Sequence, residues 1–192
     1  RILVIDDSDF FYLQLFKDDS YTIEKWDDVN DLQKLESGYF DIVLLDIQGI
    51  GKKQSKDQGF GILKHINQTC PAQIVIAYSN ANFSLKYHDF FKNADAILAK
   101  TADYVEFKRT VDKLLVQRFS MGFYVDRIAK LASPYLPPQD INKVKTLSEK
   151  AILNGKTDRF KDYLQSNIDN EDKVEIIIQI VNIAILIAKA AL

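Results

Sequence analysis

The chain has 192 residues, 47% of them hydrophobic and 27% charged, and a formal net charge of −2. This is the balance of an ordinary globular protein, long enough for one good domain and a small second one. So small a charge gives no global field for nucleic acid, and a single cysteine, Cys70, excludes an internal disulfide and a cysteine-rich zinc site. Cys70 precedes Pro71 in a loop and reads as a half-buried thiol rather than a nucleophile. No signal peptide is visible, which reads as a cytoplasmic chain. The first residue is Arg1 rather than Met, which reads as a start inside a longer natural sequence.

Short apolar runs alternate with amphipathic stretches. Strands are predicted near 1–5, 21–26, 42–45, 74–78 and 96–99, and helices near 8–17, 29–37, 59–68, 83–92 and 103–118. Strict alternation of this kind predicts a parallel sheet covered on both faces. Gly38 and Gly59 stand where a helix should end and the next begin. Asp27 and Asp28 read as capping or loop acids before a helix at Val29. The two histidines, His65 and His88, fall in predicted helices, away from the acids described next.

The chemistry gathers at the strand ends. Asp6 and Asp7 follow Ile2–Ile5, and Asp46 follows Ile42–Leu45. In an open parallel sheet the edge beyond the carboxyl ends of the strands is where ligands bind. Three acids brought together there repel unless a cation sits among them, and an all-oxygen donor set suits a hard ion such as Mg²⁺. Ser79 ends a third run, Ile74–Tyr78, and Lys100 a fourth, Ala96–Ala99. A hydroxyl and an ammonium beside metal-binding acids suit a phosphoryl group carried on one carboxylate. Taken singly, each acid could be a cap or a loop residue, Lys100 a solvated strand-end lysine and Ser79 a turn hydroxyl. Jointly they fall on the same edge of four strands.

The order Asp-Asp, Asp, Ser, Lys at successive strand ends resembles the receiver domain of two-component response regulators. The resemblance covers residues 1–118. It implies a flavodoxin-like, doubly wound α/β fold with a five-stranded parallel sheet, whose switch point by the first and third strands gathers Asp6, Asp7 and Asp46. It makes Asp46 the phosphoacceptor, Asp6, Asp7 and Asp46 ligands of Mg²⁺ together with the backbone carbonyl of Gln48, Ser79 the switch hydroxyl and Lys100 the phosphate-binding ammonium. It also implies a sensor histidine kinase or phosphotransfer protein as donor, and a regulatory phosphoacceptor that assists its own phosphotransfer and dephosphorylation rather than an enzyme. Three features depart from the family. Thr101 replaces the proline that usually follows the lysine in a cis peptide, which leaves that turn trans. Ile97 stands where an aromatic often swings inward on phosphorylation, so switching is expected to run through Ser79 and the segment Asn80–Lys92. The loop Ile47–Gln58, longer than usual and carrying three lysines, reads equally as a mobile polar flap over the acidic pocket or as a solvated loop.

Beyond Arg118 strand signals stop, and residues 119–192 read as a small all-helical domain with breaks at Ser133–Pro138, near Asn154-Gly155 and near Asn167–Asn170. Only Gly122 interrupts the stretch after Phe119, so the helix from Asp103 is expected to run on to about Ala132 as a rigid connection. In Val174–Leu192 the polar residues Glu175, Gln179, Asn182 and Lys189 form one narrow stripe on an otherwise apolar helix, which must be buried on most sides. Its apolar stretch, Ile176–Ala188, is too short and too interrupted to span a bilayer. The tail reads as an interaction or homodimerisation module. The alternative is a DNA-binding output, drawn from Lys143, Lys145, Lys150, Lys156, Arg159 and Lys161, though the tail balances ten Lys or Arg against nine Asp or Glu. With no His, no Cys and no glycine-rich phosphate loop, the tail does not read as catalytic.

Overall fold

Five short strands, β1 (Ile2–Ile5), β2 (Ile23–Trp26), β3 (Ile42–Asp46), β4 (Ile74–Ser79) and β5 (Ala96–Ala99), pair in the order β2-β1-β3-β4-β5, every pair parallel. The computed structural model describes residues 1–80 and 92–190. It comprises two compact units, Arg1–Leu115 and Val116–Leu192. Every residue of β1, β3 and β4 is buried, as a central parallel sheet covered on both faces requires.

Between the strands run α1 (Leu13–Asp18), α2 (Leu32–Glu36) and α3 (Gly59–Thr69), and α4 (Tyr104–Arg118) follows β5. The helix expected at 83–92, and His88 with it, lies outside the described residues. Alternation along the strands sorts the core into two faces. Leu3, Ile5, Val43, Leu45 and Val75 meet Leu35 of α2 and Ile62, Leu63 and Ile66 of α3 in a mostly aliphatic core that also takes in Trp26 and Phe40. The opposite face is aromatic: Tyr78 of β4 lies edge-on to Phe10 and to Phe107 of α4, and Phe10 also stacks on Phe16 of α1. Both α1 and α2 start later than the sequence suggests. Ser8 is held in a bend by Asp6, and Phe11 and Tyr12 form the turn that leads into α1 at Leu13; the cap of α2 is Asp31, whose carboxylate accepts from the Lys34 N–H at 2.9 Å. Asp28 serves instead as a tether, accepting from the backbone N–H of Gly51.

That tether decides the fate of the loop after β3. Ile47 and Ile50 are buried, the Gln54 side chain donates to the Val29 carbonyl, and Gln58 accepts from Gly49 N–H. Lys52, Lys53 and Lys56 do face solvent, but the loop is tied down and is not a flap. At its far end Gly59 begins α3 so close to β3 that a Cβ would meet the Asp46 carbonyl at 2.3 Å.

The second unit holds α5 (Met121–Ala132), α6 (Pro138–Asn154), α7 (Asp158–Asn167) and α8 (Glu171–Ala190). The long connection expected from Asp103 to Ala132 is broken at Ser120, which caps α5 by accepting from the Phe123 N–H at 3.2 Å and donates to the Gln117 carbonyl. Gly122 sits inside α5 without disturbing it. Pro138 opens α6 where its missing N–H costs nothing, and Gly155 ends α6 in the left-handed region at φ +65°. The last helix packs on α5, α6 and α7. Its Val174, Ile177, Ile180, Val181, Ala184 and Ile185 are buried, and Glu175, Gln179, Asn182 and Lys189 are exposed. The stripe is therefore real, with Leu186, 67% exposed, as an apolar member. No described helix is long and apolar enough to cross a membrane.

Ile180 is fully buried, and burying such a side chain contributes about 1.5–3 kcal/mol. Ile180→Asp adds an unpaired buried charge, so the second unit should lose its amide-exchange protection while β1–β5 keep theirs. Leu186→Asp on the exposed stripe should change stability by less than about 0.5 kcal/mol. Equal behaviour of the two variants in urea unfolding and amide exchange would contradict this packing.

Candidate functional site

Register builds the site. Ile5 pairs with Leu45 and Asp46 with Tyr78, so the ends of β1, β3 and β4 lie level. Ser79 pairs with Ala99, which brings Lys100 to the same edge. By alternation Asp6, Asp46 and Tyr78 share the aromatic face of the sheet.

Asp6 is buried and held by four donors. Its Oδ1 accepts from Ser8 N–H at 2.9 Å, Ser8 Oγ at 2.7 Å and Lys100 Nζ at 2.9 Å, and its Oδ2 accepts from the Tyr78 hydroxyl at 2.7 Å. Asp46, also buried, accepts from Gln48 N–H through Oδ1 at 3.1 Å and from Lys100 Nζ through Oδ2 at 2.7 Å. The Lys100 ammonium thus bridges two acids, and it does so with Thr101, not proline, behind it and no cis peptide among the described residues. Asp7 is exposed, its carboxylate lying where Gly49, at φ +89°, leaves room: a Cβ there would meet Asp7 Oδ2 at 2.2 Å. One carboxylate oxygen from each of Asp6, Asp7 and Asp46 can be chosen so that all three lie within 4.8 Å of one another.

The charges respond to this setting. Burial works to raise the Asp6 carboxyl, but the bonds from Tyr78, Lys100 and Ser8 together outweigh it and its pKa is lowered. For Asp46 burial wins over Lys100 and Gln48, and its pKa is raised. Burial works to lower Lys100, but Asp46 and Asp6 overcome it and the ammonium is held above its ordinary value. Burial, then the Asp6 carboxylate, push Tyr78 far up, so its hydroxyl is a fixed donor.

The five side chains singled out in the sequence thus stand on one edge: Asp6, Asp46 and Lys100 in direct contact, Asp7 beside them, and Ser79 buried at the end of β4. Ile97 is exposed on β5. Three contributors escaped the sequence reading. Tyr78 looked like one more apolar strand residue, and only its pairing with Asp46 across the β3–β4 register puts it on the face of the acids. Ser8 follows Asp6 at the spacing of an Asx turn. Gly49 becomes visible only when Asp7 is seen against it. His65, set apart from the acids as expected, pairs with Glu36 at 2.5 Å.

No protein-family model and no curated protein matches the chain. Solved structures do. A CheY-like response regulator receiver domain protein from Methanospirillum hungatei is 24% identical over 62% of this chain and 94% of its own, with a TM-score of 0.52. The signal receiver domain of a Luxo repressor protein from Vibrio parahaemolyticus is likewise 24% identical, over 62% of this chain and 91% of its own, with a TM-score of 0.52. NtrX from Brucella abortus is 16% identical over 79% of this chain and 34% of its own, again with a TM-score of 0.52. At such identities the likeness speaks for the fold: the first unit has the flavodoxin-like fold of response regulator receiver domains, and a helical unit follows it.

Proposed function

We propose that the protein is a two-component response regulator that accepts a phosphoryl group on Asp46 from a phosphohistidine of a sensor histidine kinase or phosphotransfer protein, and that it works in the cytoplasm. The observation that carries this reading is the meeting of three carboxylates and the Lys100 ammonium at one strand-end edge of a receiver fold. The donor set fits a hard divalent cation such as Mg²⁺: oxygens only, with Asp7 open to solvent. Asp6, Asp7 and Asp46 would hold the ion, with the Gln48 carbonyl as the fourth protein donor implied by the resemblance. Bound there, it would neutralise charge on the phosphoryl oxygens.

The chain's own groups do the rest. An Asp46 oxygen attacks phosphorus, the O–P bond forming as the N–P bond breaks and the electron pair leaving on the imidazole nitrogen. Lys100, already 2.7 Å from Asp46, pairs with a phosphoryl oxygen, and the Ser79 hydroxyl donates to another. The same groups assist later loss of the phosphoryl group to water, which makes the protein a regulatory phosphoacceptor rather than an enzyme.

The helical unit is read as a protein-interaction or dimerisation module under control of Asp46. A cleft of about 570 Å³ runs between α5, α6 and α8, lined by Phe119, Met121, Tyr124, Leu153 and Ile187, with Lys189 as its one charged residue. Phe119 and Leu153 also face solvent. The DNA-binding alternative has less support, since Lys145 is paired with Asp126 at 2.7 Å and Lys143 lies over the Tyr163 ring.

With acetyl phosphate and Mg²⁺, intact-protein mass should show phosphorylation of the wild type and none of Asp46→Asn, and Lys100→Ala should slow it on the order of 10²-fold. Asp7→Ala should act first on Mg²⁺ affinity. A stable phosphoryl adduct on Asp46→Asn would sink the assignment.

Beryllofluoride with Mg²⁺ should alter the concentration-dependent mass of the wild type but not of Asp46→Asn, and should change amide exchange in Asn80–Lys92 more than around Ile97. Unchanged mass together with steeply salt-dependent DNA binding would turn the reading to the transcriptional alternative.

A further inference from the structure

Asp6 offers a cation less than its place suggests. Each oxygen of a carboxylate has about two lone-pair sites; Ser8 N–H, Ser8 Oγ and Lys100 Nζ already crowd Oδ1, so a cation must come to Oδ2, where the Tyr78 hydroxyl takes one of the two. The Ser8 donors belong to the local turn, and Lys100 is shared with Asp46 and rides on a flexible stem. Tyr78 differs from both. It is 2% exposed, and its ring is wedged edge-on between Phe10 at 6.2 Å and Phe107 at 6.0 Å. Its hydroxyl therefore cannot swing away without moving α4. Nothing in the acid cluster itself requires a phenol at this position, since a phenylalanine would fill the same aromatic slot.

We infer that Tyr78 sets the cation affinity of the site by competing, through its fixed hydroxyl, for Asp6 Oδ2. Removing a donor from a ligating carboxylate returns electron density to it and leaves the buried charge short of a partner, and both changes favour a cation. The inference rests on the proposed divalent-cation site and names the residue that tunes it.

The test is Tyr78→Phe in the full chain, read by calorimetric titration with MgCl₂ alone and by thermal unfolding with and without Mg²⁺. The variant should bind Mg²⁺ about tenfold more tightly, the scale of one hydrogen bond to a charged group. Its metal-free melting temperature should fall while the increment gained from saturating Mg²⁺ grows, as linkage requires. A merely structural hydroxyl would lower the first and leave the second unchanged. If the wild type binds Mg²⁺ and the variant binds equally or more weakly, the inference on Tyr78 falls and the cation site stands. If the wild type fails to bind and the variant binds, competition by Tyr78 is upheld in its strongest form. If neither binds, the cation reading and this inference fall together.

Discussion

Two buried carboxylates, Asp6 and Asp46, converge where β1 and β3 end, and the Lys100 ammonium between them is what lets them remain there. Like charges at a buried strand edge raise the energy of the fold, and removing one partner from such a buried ion pair costs about 3–5 kcal/mol. That exceeds the 1.5–3 kcal/mol or so contributed by any single aliphatic side chain in the core. The rest of the first unit is arranged around this constraint. The β1–β3 and β3–β4 registers fix the acids level with one another, the β4–β5 register delivers Lys100, and Ser8, Tyr78 and the Gln48 N–H supply donors that water can no longer provide. The opposite pKa shifts of Asp6 and Asp46 follow from how those donors are shared: Asp6 has four and is lowered, while Asp46 has two and is raised by its burial.

Much of this was legible because parallel strands write themselves as continuous apolar runs. The runs ending at Asp6, Asp46, Ser79 and Lys100 located both the sheet and the edge on which the chemistry sits. What stayed hidden were contacts that depend on pairing. Tyr78 is apolar in pattern and polar in use, and only the β3–β4 register reveals that its hydroxyl reaches Asp6 two strands away. Asp28 was read as a capping or loop acid, and it proves to be the latter: its carboxylate is claimed by Gly51, far along the chain, while Asp31 caps α2. The lysine-rich loop read equally as a mobile flap or a solvated loop by composition; its lysines are solvated, yet Ile47 and Ile50 bury themselves under it. Composition describes the outward side chains of a loop and is silent about where its backbone is tied.

The helical connection failed for a local reason. Helix propensity through 103–132 is high and Gly122 was the only visible breaker, but a serine that caps is as effective a stop as a glycine. Ser120 accepts from Phe123 and donates to Gln117, closing one helix and opening the next within two residues. Within each unit the apolar side chains are buried among that unit's own elements.

The last helix shows how far a polar stripe can be trusted. Glu175, Gln179, Asn182 and Lys189 are exposed as their spacing demands, and the position that continues the stripe between Asn182 and Lys189 is Leu186, exposed as well. An isolated apolar side chain on a polar stripe is unremarkable, but Leu186 has company in the same unit: Phe119, Leu153 and the cleft running between α5, α6 and α8. Geometry thus leaves the helical unit with a solvated face that is less polar than its sequence stripe, and with a basic cluster partly spent on internal partners at Asp126 and Tyr163.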